Sequence, residues 1–334
     1  MLNSNKIQSI LEKYPAYRLR QAHRAIFREL AVSWDEVTAL PKDIRVILQD
    51  KSPLTIESEI VAARNGKTAK AIVHLHDGVT IETVLMRHRG GRNTVCVSSQ
   101  AGCPLGCDFC LTGQRGFTRN LTADEIVEQV LLFARYLQPK DERVRNVVFM
   151  GMGEPFLNYS EVMGAIRIMN DSEGLKIGAR RISISTIGIV KGIKRLTHEP
   201  LQVNLAFSLH APDNRLRSRL IPQNQQQPIE EILAAISEYI ETTRRKVMIE
   251  YLLLDGINDS PADAEKLVVL LKKSLTHLYY INLIAYNPTG KYQSPPPSRI
   301  AEFQRILEDA RVTVTLRYRF GQEINAACGQ LAGG

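Results

Sequence analysis

From residue 94 onward the chain alternates between two hydrophobic periodicities. Short runs rich in β-branched residues recur at Thr94–Ser98, Asn146–Met150, Arg181–Ser185, Val203–Leu209, Val247–Leu254, Tyr280–Ile284 and Val312–Leu316. They are too short for helices and are read as strands. Stretches with helical spacing lie between them, such as Ala123–Tyr136 and Glu230–Thr242. The first opens on Thr122-x-x-Glu125, the pattern of a capping box. Strands separated by helices imply parallel βαβ units. The first six in series, with the last following them, predict an α/β fold, a partial (βα)6 barrel.

Upstream the pattern changes twice. In residues 1–53, Arg18, Arg20, Arg24 and Arg28 interleave with Leu19, Ala22, Ile26 and Phe27, which predicts an amphipathic helix with a basic face. A second helix is expected from Ser33, where Asp35 and Glu36 complement its N-terminal dipole, and Trp34 is expected in the core. Residues 54–93 carry short β-branched runs at Glu59–Ala62, Ala71–Leu75 and Thr80–Leu85, with Asn65-Gly66 and Asp77-Gly78 as hairpin turns. The chain therefore divides into a small helical accessory domain (1–53), a short antiparallel β-hairpin linker unit (54–93) and the barrel core (94–334). No internal repeat is present, and Pro295–Pro297 reads as a stiff loop.

Composition is that of a globular protein, with 334 residues, 44% of them hydrophobic and 23% charged. No apolar run approaches a membrane span, and the first residues lack a secretory leader, so a cytoplasmic protein with no membrane partner is expected. The net charge of +8 permits an anionic partner such as nucleic acid, and solubility alone explains it equally well. Five cysteines, Cys96, Cys103, Cys107, Cys110 and Cys328, make an odd count. In a reducing compartment that favours metal binding or redox chemistry over a disulfide framework.

The central motif is Cys103-Pro-Leu-Gly-Cys107-Asp-Phe-Cys110, C-x3-C-x2-C after a predicted strand. Three thiolates in one tight loop hold three irons of a 4Fe–4S cube and leave the fourth open. An open iron is what S-adenosylmethionine (SAM) needs to chelate through its amino and carboxylate groups. Gly102 and Gly106 let the backbone wrap closely. The alternative is structural zinc, which wants a fourth Cys or a His at suitable spacing, and none is there. One βα unit later the strand Asn146–Met150 runs into Gly151-Met-Gly-Glu-Pro155. Barrel active sites sit at such strand ends, where peptide carbonyls and the Glu154 carboxylate are placed to accept from the SAM ammonium.

The run from Cys96-Val-Ser-Ser-Gln-Ala-Gly-Cys103 through Thr112-Gly113 to Arg119-Asn120-Leu121 resembles the RlmN/Cfr family of radical SAM rRNA adenine methyltransferases. So do Gly151–Pro155, Ser185–Gly188, Ser208–His210, Asn287-Pro288 and Ala326–Leu331, in the same order over almost the whole chain. The resemblance implies that Cys103, Cys107 and Cys110 ligate the 4Fe–4S cluster. It implies a SAM pocket of Gly153, Glu154, Ser185, Ser208, Leu209, His210 and Asn287. It makes Cys328 the cysteine that is methylated, Cys96 the thiol that resolves the intermediate, and Glu82 the proton acceptor. Glu82 has a plainer reading as an outward-facing strand residue.

The implied chemistry accounts for two extra thiols. An aromatic C–H carbon of adenine is not nucleophilic, so a polar attack on the SAM methyl is not open to it. One SAM methylates Cys328 by displacement. A second supplies a 5′-deoxyadenosyl radical that takes hydrogen from the S-methyl group, and the resulting carbon radical adds to the base. A base then removes the ring proton, Cys96 attacks the Cys328 sulfur to give a disulfide and free product, and reduction resets the pair. Two SAM per turnover are used, and an external flavodoxin-like electron donor is implied. The family's substrate is an adenosine of the peptidyl-transferase centre of 23S rRNA, and for some members a tRNA adenosine beside the anticodon. Both are loop nucleotides that a protein can splay out. The basic helix and Arg215, Arg217 and Arg219 are candidate phosphate contacts. Pro155 favours methylation at C2. Thr186–Ile189, Asn282–Tyr286 and Phe320-Gly321 resemble the C8 branch. Two other readings remain, a non-catalytic iron–sulfur or zinc RNA-binding protein and a radical SAM enzyme with another substrate.

Overall fold

The computed structural model describes residues 2–318 and 320–332. Three short helices open the chain, α1 (Ser4–Leu11), α2 (Tyr17–Phe27) and α3 (Lys42–Lys51). α2 is amphipathic as expected: it buries Ala22, Ala25, Ile26 and Phe27 and turns Arg20 and Arg24 outward. The helix expected from Ser33 is only a 3-10 turn, Trp34–Glu36, capped by the Ser33 hydroxyl. Leu40 precedes Pro41, and the proline ring disfavours helical backbone at the residue before it. The chain re-enters a helix at Lys42. Trp34 is fully buried, its indole N–H donating to the Ser52 carbonyl at 2.7 Å.

Strands β1 (Ser58–Ala62), β2 (Thr68–His74), β3 (Thr80–His88) and β4 (Arg92–Val97) pair antiparallel in succession. The small pair β5 (Gln100–Gly102) and β6 (Phe117–Asn120) follows. β4 then pairs in parallel with β7 (Val144–Phe149), and β8 (Ile182–Thr186), β9 (Asn204–Ser208), β10 (Val247–Leu253), β11 (Tyr279–Ala285) and β12 (Val314–Leu316) add in order. Every strand expected from residue 94 onward is present, shifted at its ends by two residues at most. The hairpin strands extend the same sheet, because β3 bonds to β4 with Val84 opposite Cys96. No pairing among the described residues joins β12 to β1, so the sheet stays open.

Helices α4 (Leu111–Gln114), α5 (Ala123–Leu137), α6 (Tyr159–Asn170), α7 (Val190–Thr197), α8 (Asn214–Leu220), α9 (Ile229–Thr243), α10 (Pro261–Ser274) and α11 (Pro297–Asp309) make the crossovers. The Thr122–Glu125 capping box closes the start of α5 in both directions. α5 also carries the N-terminal segment: Asp124 accepts from the Ser4 N–H at 2.7 Å, and Arg135 donates to the Ala31 and Leu54 carbonyls. Apolar residues of α1–α3 join the buried core of the sheet. Because β4 and β7–β10 are parallel, Cys96, Met150, Ser185, Ser208 and Glu250 gather toward one end of the sheet. No helix among the described residues is long and apolar enough to cross a membrane.

Candidate active site

The cysteine loop joins β5 to β6. Gly102 has φ +79°, and a Cβ there would lie 2.1 Å from the Gly116 carbonyl oxygen. Its freedom thus serves the close approach of the two loop ends, which the Cys103 N–H then ties to Gly116 O at 2.8 Å. α4 starts immediately after Cys110. Asp108, between the second and third cysteines, is held from across the site by Lys291 and the Tyr292 hydroxyl.

Cys103, Cys107 and Cys110 line a cavity of about 160 Å³ at the C-terminal ends of the strands. Burial pushes the Cys103 thiol up to about 12 and raises Cys107 well above the ordinary thiol range. Thiols that the protein alone keeps protonated ionise when a cationic metal centre compensates them. Among the described residues no three thiol, imidazole or carboxylate groups converge as the donors of one ion would. The loop instead places three sulfur donors around a shared volume, a donor set suited to a cluster.

The facing wall is the Gly151–Pro155 turn. At Gly153, φ is +95° and a Cβ would fall 2.5 Å from the Gln100 Cβ, so only glycine fits. The Gln100 side chain bridges the two motifs, donating to Asn120 Oδ1 at 2.8 Å and accepting from the Glu154 N–H at 2.9 Å. Glu154 is buried, and burial pushes its carboxyl up to about 7 although the Phe156 and Ile187 N–H groups donate to it. Its oxygens therefore pin the strand-end loops of β7 and β8 as well as facing the cavity.

Ser185 and Ser208 both reach Glu250 Oε2, at 2.7 and 3.4 Å, and Arg317 donates to Glu250 Oε1 at 3.0 Å. All four line the cavity. Cys328 beside it, and then Glu250, hold the Arg317 guanidinium above its ordinary range against burial. His210 adopts φ +59°, and its Nδ1 accepts from the Leu252 N–H at 3.1 Å. Burial, with Arg217 nearby, lowers its pKa to about 3, so the imidazole is a neutral fixed wall against Phe109. Leu209 is fully buried outside the cavity lining and contributes backbone: its N–H donates to Glu250 O and its carbonyl accepts from Arg217. Arg217 cannot contact phosphate as expected. It is fully buried and donates to the carbonyls of Ile187, Ser208 and Leu209 and to Asn224, which fixes the loops around His210.

A second cavity of about 30 Å³ adjoins the first. Cys96 and Asn287 line it, and Met150, Ile284, Arg317, Cys328 and Leu331 line both. Cys328 thus sits on the partition. All five cysteines are free thiols, so the Cys96–Cys328 disulfide expected within the reaction cycle is not formed here. Burial, then the nearby Cys328, push the Cys96 thiol up to about 12, with Arg317 opposing. The segment around Cys328 has no helix or strand and is held by others. The Leu111 N–H donates to Gly329 O at 2.9 Å, Thr112 to Leu331 O, Asn287 to Cys328 O at 3.4 Å and Gln330 to Pro288 O at 3.1 Å. Glu82 completes this clamp and is not outward-facing. Buried, it pairs with Lys70 at 2.8 Å and accepts from the Ala332 N–H at 2.7 Å.

Glu250, Arg317 and Gln100 carry the site's polar frame, and sequence reading assigned none of them a role. Glu250 had a signal, a lone carboxylate inside the apolar run Val247–Leu254. Arg317 had none, because its partner is 67 residues away.

Comparison with known proteins agrees with this geometry. The Radical SAM superfamily domain matches residues 97–268. The chain is 44% identical to a probable dual-specificity RNA methyltransferase RlmN of Chloroflexus aurantiacus, over 99% of this chain and 91% of that protein. It is equally 44% identical to the ribosomal RNA large subunit methyltransferase Cfr of Clostridium botulinum, over 96% and 93%. A solved radical SAM methyltransferase from Sphaerobacter thermophilus superposes with a TM-score of 0.94 at 45% identity, covering 99% of this chain and 97% of that one.

Proposed function

The chain belongs to the RlmN/Cfr family of radical SAM rRNA methyltransferases, and we propose that it methylates C2 of an adenosine in the peptidyl-transferase centre of 23S rRNA. The observation that carries the two-thiol part is the position of Cys328 on the wall shared by both cavities. Cys103, Cys107 and Cys110 hold the cluster in this reading, and Gly153, Glu154, Ser185, Ser208 and His210 surround SAM, with Leu209 supporting them. The cluster and SAM, when bound, supply the one-electron chemistry that activates an S-methyl group. The chain's residues do the rest.

Cys328 accepts the methyl group and presents it to the main cavity. Cys96 lines the second cavity together with Cys328, which places the resolving thiol on the far side of the carrier from the main cavity. Asn287, through the Cys328 carbonyl, sets the orientation of the carrier segment. Arg317 stands beside Cys328 on the wall that both cavities share. Glu82 takes the ring proton in this scheme, which requires the Ala332 end of the clamp to release it.

C2 is preferred because Pro155, directly after Glu154, resembles the C2 branch of the family, whose C8 members tend to carry Ala there. Methylation at C8 is the second reading, favoured by Thr186–Ile189 and Asn282–Tyr286. A tRNA adenosine is a further substrate, and a flavodoxin-like reductant is the electron source. Nuclease digestion of treated 23S rRNA with mass spectrometry against both isomers decides the carbon. 2-Methyladenosine is expected, and 8-methyladenosine alone would overturn the preference.

A further inference from the structure

The parallel strands begin where the catalytic cavity is farthest away. There two clefts lie side by side, sharing Arg181. The first also holds Arg92 and Arg180, and the second Arg28, Arg143, Arg145 and Lys176. No acidic side chain lines either one. Arginine predominates, the side chain whose flat fork matches phosphate oxygens.

Arg28, Arg92 and Arg180 are each held by a neutral group, and no salt bridge among the described residues engages a cleft cation. Arg180 donates to the Gln202 side chain at 2.9 Å, Arg245 to the Gln202 carbonyl at 2.7 Å, and Arg28 to the Ser172 carbonyl. Glu142, the nearest acid in sequence to Arg143 and Arg145, is engaged by Arg87 and Asn93. Arg180 and Arg245 are close enough to oppose each other's charge. Arg28 links the clefts to the basic helix α2. Arg181 and Ser185 are separated by most of β8, about 13 Å of strand, so an RNA nucleotide in the catalytic cavity cannot itself reach the clefts.

We propose that this end of the sheet is a second RNA-binding surface, which grips the phosphate backbone of a structured segment distant from the target nucleotide. The proposal rests on the reading that the protein acts on RNA. It extends that reading from a hairpin that fills the site to a larger RNA that wraps the molecule.

The test measures binding of the cluster-reconstituted protein to two RNAs across a KCl series, full-length 23S rRNA transcript and a short hairpin with the target adenosine. Arg145→Glu with Arg181→Glu should weaken full-length binding at least about tenfold. It should also lower the salt slope by about 1.5, from 0.7–0.9 per lost phosphate contact. Hairpin affinity and Cys328 methylation should stay unchanged. The milder pair Arg145→Gln with Arg181→Gln should show a smaller loss in the same direction, which guards against misfolding of the first. Equal loss for both RNAs, or no change for either, overturns the proposal. So does wild-type binding to poly-glutamate as tight as to RNA, which would assign the surface to an acidic protein. If wild-type protein methylates no 23S rRNA, the function reading fails, and this binding comparison is read separately.

Discussion

Cys96 and Cys328 face one cavity from opposite kinds of structure. Cys96 lies in β4, bonded to β3 on one side and β7 on the other, and its thiol is deeply buried. Cys328 lies in a segment with no regular structure, held by side chains and N–H groups from α4, β3 and the Asn287 loop. In the proposed reaction the contrast is one of function. A thiol that attacks once, in one direction, can be built into the core. A thiol that must face two cavities in turn needs a segment whose position is set by a few separable bonds.

Removing the carrier is the largest change. Cys328→Ala should abolish RNA methylation while leaving the iron content and SAM cleavage of reconstituted protein intact. Residual product above background in RNA mass spectrometry would place the methyl carrier elsewhere.

Arg317 is the next test, because it touches both regions. Arg317→Met leaves Glu250 buried without its cation and should cost about 3 kcal/mol in denaturant unfolding. It should also slow iodoacetamide labelling of Cys328, because the cation beside the sulfur is gone. Arg317→Lys should recover most of the labelling rate. Equal labelling in all three would mean that Arg317 serves packing alone.

Smaller effects separate the clamp from the frame. Thr112→Val removes one bond to the carrier segment, about 1 kcal/mol, and should speed hydrogen exchange at Gly329–Ala332 without altering β4. Thr122→Ala removes the α5 cap, also about 1 kcal/mol, and should lower global stability without changing Cys328 labelling. If Thr112→Val loosens β4 as much as the carrier segment, the two regions are not independent.

The frame was legible in the sequence and the clamp was not. Apolar, β-branched runs of strand length located β4 and β7–β12, and the mark is clearest in β4, β10 and β11, which are buried on both faces over most of their length. The three-cysteine loop was legible because its cysteines are close in sequence. The helix expected at Ser33 failed because the break at Pro41 outweighed the dipole at Asp35 and Glu36. Arg217 looked like a surface cation among Arg215 and Arg219. Only the fold shows that α8 turns it inward, onto carbonyls that need a donor. Glu250 with Arg317, and Glu82 with Ala332, join residues far apart in sequence. No periodicity records such pairs.

The account's central claim is that Cys96 releases an RNA adduct carried by Cys328. Cys96→Ala protein should be purified from cells under denaturing conditions and digested with nuclease and protease. The predicted result is a Cys328 peptide bearing an adenosine joined through one carbon to its sulfur, and no such peptide from the Cys96→Ala, Cys328→Ala double variant. Cys96→Ala protein that carries no adduct and methylates RNA at the wild-type rate would contradict it.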